Sequence, residues 1–263
     1  VLIHMLPYQH LLLVGLLPDA TLNIFWCATL LAVWRAMRSG KWFLWILTGL
    51  LFGGALLSKY HAILLSFCLL GYLVTSADHR FWLKKPQPYI AVLIGLIVFS
   101  PNILWNARRN WLSYSFQLSQ GGGDGLDVGK FLMAVGGQLG AWSPIIFIAL
   151  AAVFIAIIRQ PKISEADRFA VWTSIPIFVF FCLAGLRSKI LPHWTSFGWW
   201  TGSVILAAVV LRKIGASNKY AGRWRRWSAA ALVTGFTMSA LLYIALFLPV
   251  VSPVYNWARD ISL

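Results

Sequence analysis

Hydrophobic residues fill long runs along this chain, and short clusters of Pro, Gly, Asn, Ser and basic residues separate them. Reading the runs against these breakers predicts helices over 19–37, 42–57, 62–75, 88–104, 142–158, 169–186, 194–211 and 227–250. Most are of a length to cross about 30 Å of hydrocarbon at about 1.5 Å of rise per residue. The pattern therefore predicts an all-α, polytopic transmembrane bundle of about eight spans. A moderately amphipathic stretch, 130–140, is expected to lie along the interface or to extend the span after it. Gly121, Gly122, Gly123 and Gly125 read as a flexible loop, with no strand before them to suggest a phosphate-cradling turn.

Composition agrees with the pattern. Of 263 residues, 60% are hydrophobic and 11% charged, whereas a soluble domain is roughly half apolar and about a quarter charged. Lys and Arg number 22 against 7 Asp and Glu, a net charge of +15. Such an excess would elsewhere suggest nucleic acid, but here the basic residues cluster in short loops between spans. Topogenic charge and contact with anionic headgroups explain them, and nucleic acid is not an expected partner. Cys27, Cys68 and Cys182 each sit inside an apolar run and read as small buried hydrophobes, without disulfide or metal spacing. Val1 stands where an initiator Met would, and residues 1–6 are too short to span, so the chain is expected to be an internal piece of one transmembrane domain.

Alternating the spans places Arg35, Arg38 and Lys41, then Arg80, Lys84 and Lys85, then Arg159, Lys162 and Arg168, then Arg212, Lys213, Lys219, Arg223, Arg225 and Arg226 on one side. The positive-inside tendency makes that side cytoplasmic. The opposite side receives only Lys59, Arg108, Arg109, Lys130, Arg187, Lys189 and Arg259.

The chemistry-bearing residues gather at that sparser, outer boundary. Asp19 follows Pro18 at a span's start; it reads equally as a helix cap and as a carboxylate able to orient a hydroxyl. Lys59 sits in a tight turn with Tyr60, held by backbone on both sides, which suits clamping an anion better than free snorkelling. The segment 100–117 interleaves aromatic rings with amides, including Asn102, Trp105, Asn106 and Gln117, a mixture suited to sugar faces and hydroxyls. Arg108 and Arg109 supply forks that match phosphate oxygens. A further turn carries Lys189, His193 and Trp194; a lone histidine without a partner at ligand spacing is not a zinc site.

These stretches resemble the bacterial lipid-linked-sugar glycosyltransferases of the GT-C superfamily, which include protein O-mannosyltransferases and the lipid A aminoarabinose transferase. The similarity lies in Pro18-Asp19 before a Phe/Trp-rich helix, in the glycine-rich run from Gly49 to Lys59-Tyr60, in Ser100-Pro101 through Trp105-Asn106 to Trp111, Ser113, Phe116 and Gln117, and in Leu191-Pro192-His193-Trp194. Where relatives often carry His before an Asn/Asp-Trp pair, this chain has Arg109.

The resemblance implies a GT-C fold and a polyprenyl-phosphate sugar donor in the outer leaflet of the bacterial cytoplasmic membrane. Transfer would go, with inversion, to a lipid, polysaccharide or protein acceptor. It also implies that the main catalytic acidic residue, the general base, lies in a first outer loop upstream of Val1. A phosphate leaving group calls for cations, which assigns Lys59, Arg108, Arg109, Lys189 and His193 to the donor phosphate. Tyr60, Asn102, Trp105, Asn106, Gln117 and Trp194 are assigned to sugar and acceptor, and Asp19 to a helper role. No metal site is expected, although a divalent ion could assist the phosphate. A transporter for a lipid-linked anion would use similar cations, but it would place charge at midplane and break corresponding helices in two halves.

Overall fold

A computed structural model describes residues 18–121, 125–215 and 220–247, which are helices joined by turns. The predicted Gly122 and Gly123, the start at 1–6, Lys219, Arg259 and the last residues of the 227–250 span lie outside them. In chain order the helices are α1 (Pro18–Ser39), α2 (Trp42–Ser58), α3 (Leu64–Thr75), α4 (Pro86–Ala107), α5 (Leu112–Gly121), α6 (Val128–Trp142), α7 (Pro144–Ile158), α8 (Glu165–Trp172), α9 (Ile175–Ala184), α10 (Ser196–Gly215) and α11 (Ala221–Phe247). Short 3₁₀ turns occupy Tyr60–Ile63, Arg80–Lys84 and Pro192–Thr195.

The all-α bundle predicted from the apolar runs is what forms. Five helical stretches are long and apolar enough to cross a membrane, Trp42–Ser58 and Tyr60–Thr75 are shorter, and α6 with α7 forms a pair bent by 110°. The count of about eight is therefore met only when the short and bent elements are included. Large apolar side chains point outward along the spans, among them Phe43 at 60%, Phe67 at 62% and Ile97 at 60% exposure. In a lipid solvent such exposure carries no hydrophobic penalty.

Breaks in the helices depart from the sequence expectation, and proline explains most of them. The span expected at 142–158 starts at Pro144, because a residue preceding proline is disfavoured in the helical region. Ser143 adopts φ 72 instead, and Trp142 closes the preceding helix. The amphipathic stretch 130–140 is accordingly a full helix, Val128–Trp142, turned sharply away from α7. The span expected at 169–186 begins earlier, where Ser164 caps Glu165–Trp172 by accepting from the Asp167 N–H at 3.1 Å. It then breaks at Thr173 and Ser174, since Pro176 has no N–H for the carbonyl of Trp172. Pro101 lies inside α4 yet does not end it. The carbonyl it leaves without a backbone donor belongs to Ile97, and the Ser100 hydroxyl donates to that oxygen at 2.7 Å.

Helices α1, α2 and α4 form the tightest part of the bundle. A Cβ on Gly49 would come within 2.5 Å of the Ala91 carbonyl oxygen, and one on Gly53 within 2.4 Å of Val98 Cβ. Only hydrogen fits at these positions, so α2 and α4 approach backbone to backbone, as small residues permit in membranes. The rest of the bundle joins this layer through ring contacts such as Trp26 with Phe197, centroids 4.6 Å apart.

The loops carrying the predicted cytoplasmic charge meet at one end. The Trp82 indole donates to the Met37 carbonyl at 3.2 Å, and Arg212 lies 3.7 Å from Asp167. At the same end Glu165 accepts from the Tyr72 hydroxyl at 3.0 Å and from the Ser76 hydroxyl, tying α3 to α8. The starts of α1 and α3 and the end of α2 lie at the other end, and there the candidate site forms.

Candidate functional site

Asp19 occupies the first turn of α1, where free amide hydrogens and the helix dipole favour a negative charge. Its residue is 2% exposed. Lys59 lies between α2 and the Tyr60–Ile63 turn with extended backbone, φ −161 and ψ 136. That conformation turns the side chain off the helix axis, and its Nζ reaches Asp19 Oδ1 at 2.7 Å. The lysine side chain keeps 18% exposure against 3% for the carboxylate, so an incoming ligand meets the ammonium first. Burial lowers the Lys59 pKa from the ordinary lysine value, while the charge and hydrogen bond of Asp19 pull it upward.

Two residues of the Pro192–Thr195 turn face this pair from the other half of the bundle. His193 Nε2 stands 3.9 Å from Asp19 Oδ2, beyond hydrogen-bond range but within reach of its charge. The Trp194 ring lies 5.8 Å from Lys59 Nζ and offers its negative face to the ammonium. Beneath them Ser196 donates to Asn23 Oδ1 at 3.2 Å, linking α10 to α1.

The turn is held in place by Gln138, a residue that sequence reasoning missed. Its amide nitrogen donates to the Pro192 carbonyl at 3.3 Å, while its oxygen accepts from Thr195 Oγ1 at 2.6 Å and Trp199 Nε1 at 3.3 Å. Trp142 Nε1 adds a second donor to the same Pro192 carbonyl at 3.3 Å. Gln138 was visible as a polar side chain in an amphipathic stretch, but which turn it would serve depended on the bend between α6 and α7.

A second polar group adjoins the first through Tyr60. The Asn102 amide donates to the Tyr60 hydroxyl at 3.2 Å, and its oxygen accepts from Tyr114 and from Asn106, each at 3.1 Å. Asn106 is fully buried. Its nitrogen also donates to the Asn102 carbonyl and its oxygen accepts from the Ser113 N–H, both at 3.1 Å. Both halves of that amide are thus spent on folding α5 back against α4, which differs from the sugar contact expected of Asn106.

The other expected site residues stand apart from the ion pair. Arg108, Arg109, Lys189 and Gln117 are exposed, and the described ion pairs of Asp19 are those with Lys59 and His193. Neither Arg108 nor Lys189 forms a described ion pair with Asp19, so the expected convergence is not seen as direct contact. The physical reason is local: Arg108 ends α4 and Lys189 lies in a loop, both facing outward where cations keep their hydration. Arg109 instead covers the Trp105 ring at 5.3 Å. Among the described residues no cluster of three or more His, Cys, Asp or Glu is placed to hold a metal ion.

Residues 1–105 of the chain match a family model described as dolichyl-phosphate-mannose-protein mannosyltransferase. The matched stretch contains Asp19, Lys59, Tyr60, Asn102 and Trp105 and ends before Asn106, so His193, Trp194 and Gln138 lie beyond it. The match covers 105 of the 263 residues, less than half of the chain, and is a likeness over that stretch. No curated protein and no solved structure matches the chain.

Proposed function

We propose that this chain transfers a sugar from a polyprenyl-phosphate donor to a lipid, polysaccharide or protein acceptor at the outer face of a bacterial cytoplasmic membrane. The observation that carries the reading is the buried Asp19–Lys59 pair, which presents one oriented ammonium at the end of the bundle remote from most of its positive charge.

The chemistry follows from the donor. An acceptor hydroxyl attacks the anomeric carbon, the bond from that carbon to the phosphate oxygen breaks with its electron pair remaining on the phosphate, and the proton released by the hydroxyl ends on the departing phosphate. Lys59 stabilises that developing charge, which is worth most in a site already shielded from water. Asp19 is buried and committed to Lys59, so it suits aiming the ammonium more than accepting the acceptor's proton. His193 and Trp194 close the opposite wall, and Tyr60 extends the site toward Asn102. Arg108, Arg109 and Lys189 act at longer range, drawing an anionic headgroup toward the boundary.

The test uses the full-length protein in proteoliposomes with radiolabelled polyprenyl-phosphate sugar and an extract of candidate acceptors. Loss of one charge-assisted contact of about 1.5–3 kcal/mol predicts a fall in transfer of roughly 10- to 150-fold for Lys59→Ala. Unchanged transfer in Lys59→Ala and Asp19→Asn would remove the site assignment. Movement of the donor across the bilayer without transfer would identify a transporter.

A further inference from the structure

We propose that Trp111 and Tyr114 form a stacking platform for one face of a pyranose ring. The two rings lie 5.7 Å apart at an interplanar angle of 22°, and Trp111 remains 47% exposed. Tyr114 is fixed from behind: its hydroxyl donates to Asn102 Oδ1 at 3.1 Å, and Tyr60 packs its ring at 5.2 Å and 70°.

The backbone pays for this placement. Asn110 and Trp111 have φ of 51 and 58, the left-handed region, which a residue as bulky as tryptophan rarely enters. Asn106 enforces the conformation, its carbonyl accepting the Trp111 N–H at 2.8 Å while its side chain holds the Ser113 N–H at 3.1 Å. The outcome is an aromatic face turned outward on a hydrogen-bonded turn, which favours binding by limiting the ordering a ligand must impose.

A saccharide suits these surroundings. Along the same segment exposed Arg109, Asn110, Ser115 and Gln117 alternate with exposed Leu112 and Phe116, a mixture of polar groups and apolar faces. A pyranose has one face of C–H bonds, weakly positive, that meets the negative face of a ring, and a rim of hydroxyls for the amides and guanidinium. The sugar could belong to the acceptor or to the donor. The identity of that substrate rests on the proposed transferase function, but saccharide binding itself does not.

The experiment is saturation-transfer NMR on the full-length protein in detergent, with a panel of soluble neutral-hexose, hexosamine and pentose oligosaccharides. At least one is expected to receive saturation at ring protons, about tenfold weaker in binding to Trp111→Ala and within about threefold of wild type for Trp111→Phe. Binding of a soluble oligosaccharide is read without donor and without transfer, which keeps this result separate from the fate of the transferase reading. Adding polyprenyl-phosphate sugar separates the sources: displacement of the oligosaccharide assigns the platform to the donor's sugar, and simultaneous binding assigns it to the acceptor. Absence of binding across the panel, or equal binding by Trp111→Ala, overturns the proposal. So does quenching by brominated lipids of the fluorescence that distinguishes wild type from Trp111→Phe, because the indole would then sit in the bilayer.

Discussion

The ammonium of Lys59 and the carboxylate of Asp19 meet at 2.7 Å across 40 residues of sequence, with both side chains largely withdrawn from water. Neither charge would be stable there alone, because an isolated buried ion loses hydration that nothing replaces. Each is thus the condition for the other's position.

That mutual dependence predicts asymmetric mutants. Asp19→Ala strands a buried lysine and is expected to cost about 3–5 kcal/mol, whereas Asp19→Ala combined with Lys59→Met regains most of the loss. Thermal unfolding in detergent measures both. Equal destabilisation by the single and double variants would show that the pair contributes no coupling.

The lowered pKa of Lys59 gives a pH dependence with a definite sign. As pH rises through the folded-state value, the ammonium is lost before an ordinary lysine would lose it, so donor KM rises on the alkaline side below the usual range of about 10.4. Stability moves the other way: in the same window the unfolded chain holds the extra proton, so the contribution of this group to stability increases with pH. Lys59→Arg, which stays protonated, should shift the rise in KM to higher pH. Identical KM profiles for the two proteins would disconnect Lys59 from the donor.

Gln138 is predicted to matter through the turn it holds. Gln138→Leu leaves the Pro192 carbonyl with one donor fewer, removes the described acceptor of Trp199, and takes one acceptor from Thr195, which still donates to the Pro192 carbonyl at 3.1 Å. About 1–3 kcal/mol of stability is expected to go with each buried group left unsatisfied. Because His193 and Trp194 ride on that turn, donor KM should rise by roughly tenfold as well, and a kinetic assay that finds KM unchanged would confine Gln138 to folding.

Gly53 offers a test of the α2–α4 contact. Gly53→Ala places a methyl against Val98 and is expected to destabilise by about 1–3 kcal/mol. Val98→Gly in the same chain, which removes the Cβ that the new methyl meets, should recover part of that loss. Failure of the second change to rescue would show that the helices separate rather than collide.

Sidedness can be read by cysteine labelling in intact cells, after the native Cys27, Cys68 and Cys182 are replaced by Ala. A membrane-impermeant maleimide should label Lys189→Cys directly and Arg80→Cys only after permeabilisation. The opposite pattern would reverse the orientation, and with it the leaflet that supplies the donor.

Several features were legible without coordinates. Runs of apolar residues determined a bundle of membrane helices, because a hydrocarbon solvent demands that length and composition of any span. The spacing of basic clusters indicated which loops share an end, since topogenic charge acts locally on each loop. Asp19, Lys59, His193 and Trp194 stood out as polar or charged residues at span borders, where their presence costs free energy and so invites a reason.

What the tertiary structure alone decided was which of these side chains meet. Extended backbone at Lys59 swings its amine to Asp19, while Arg108 and Lys189, chosen by the same sequence logic, face outward. Asn106 turned from an expected sugar ligand into the staple of a strained turn because both its amide nitrogen and its oxygen are engaged within the fold. The bend at Ser143 brought Gln138 under the Pro192 turn. Depth along a membrane is written in hydropathy, residue by residue; direction around a helix and partnership across the bundle depend on close packing and backbone breaks, which only the assembled chain fixes.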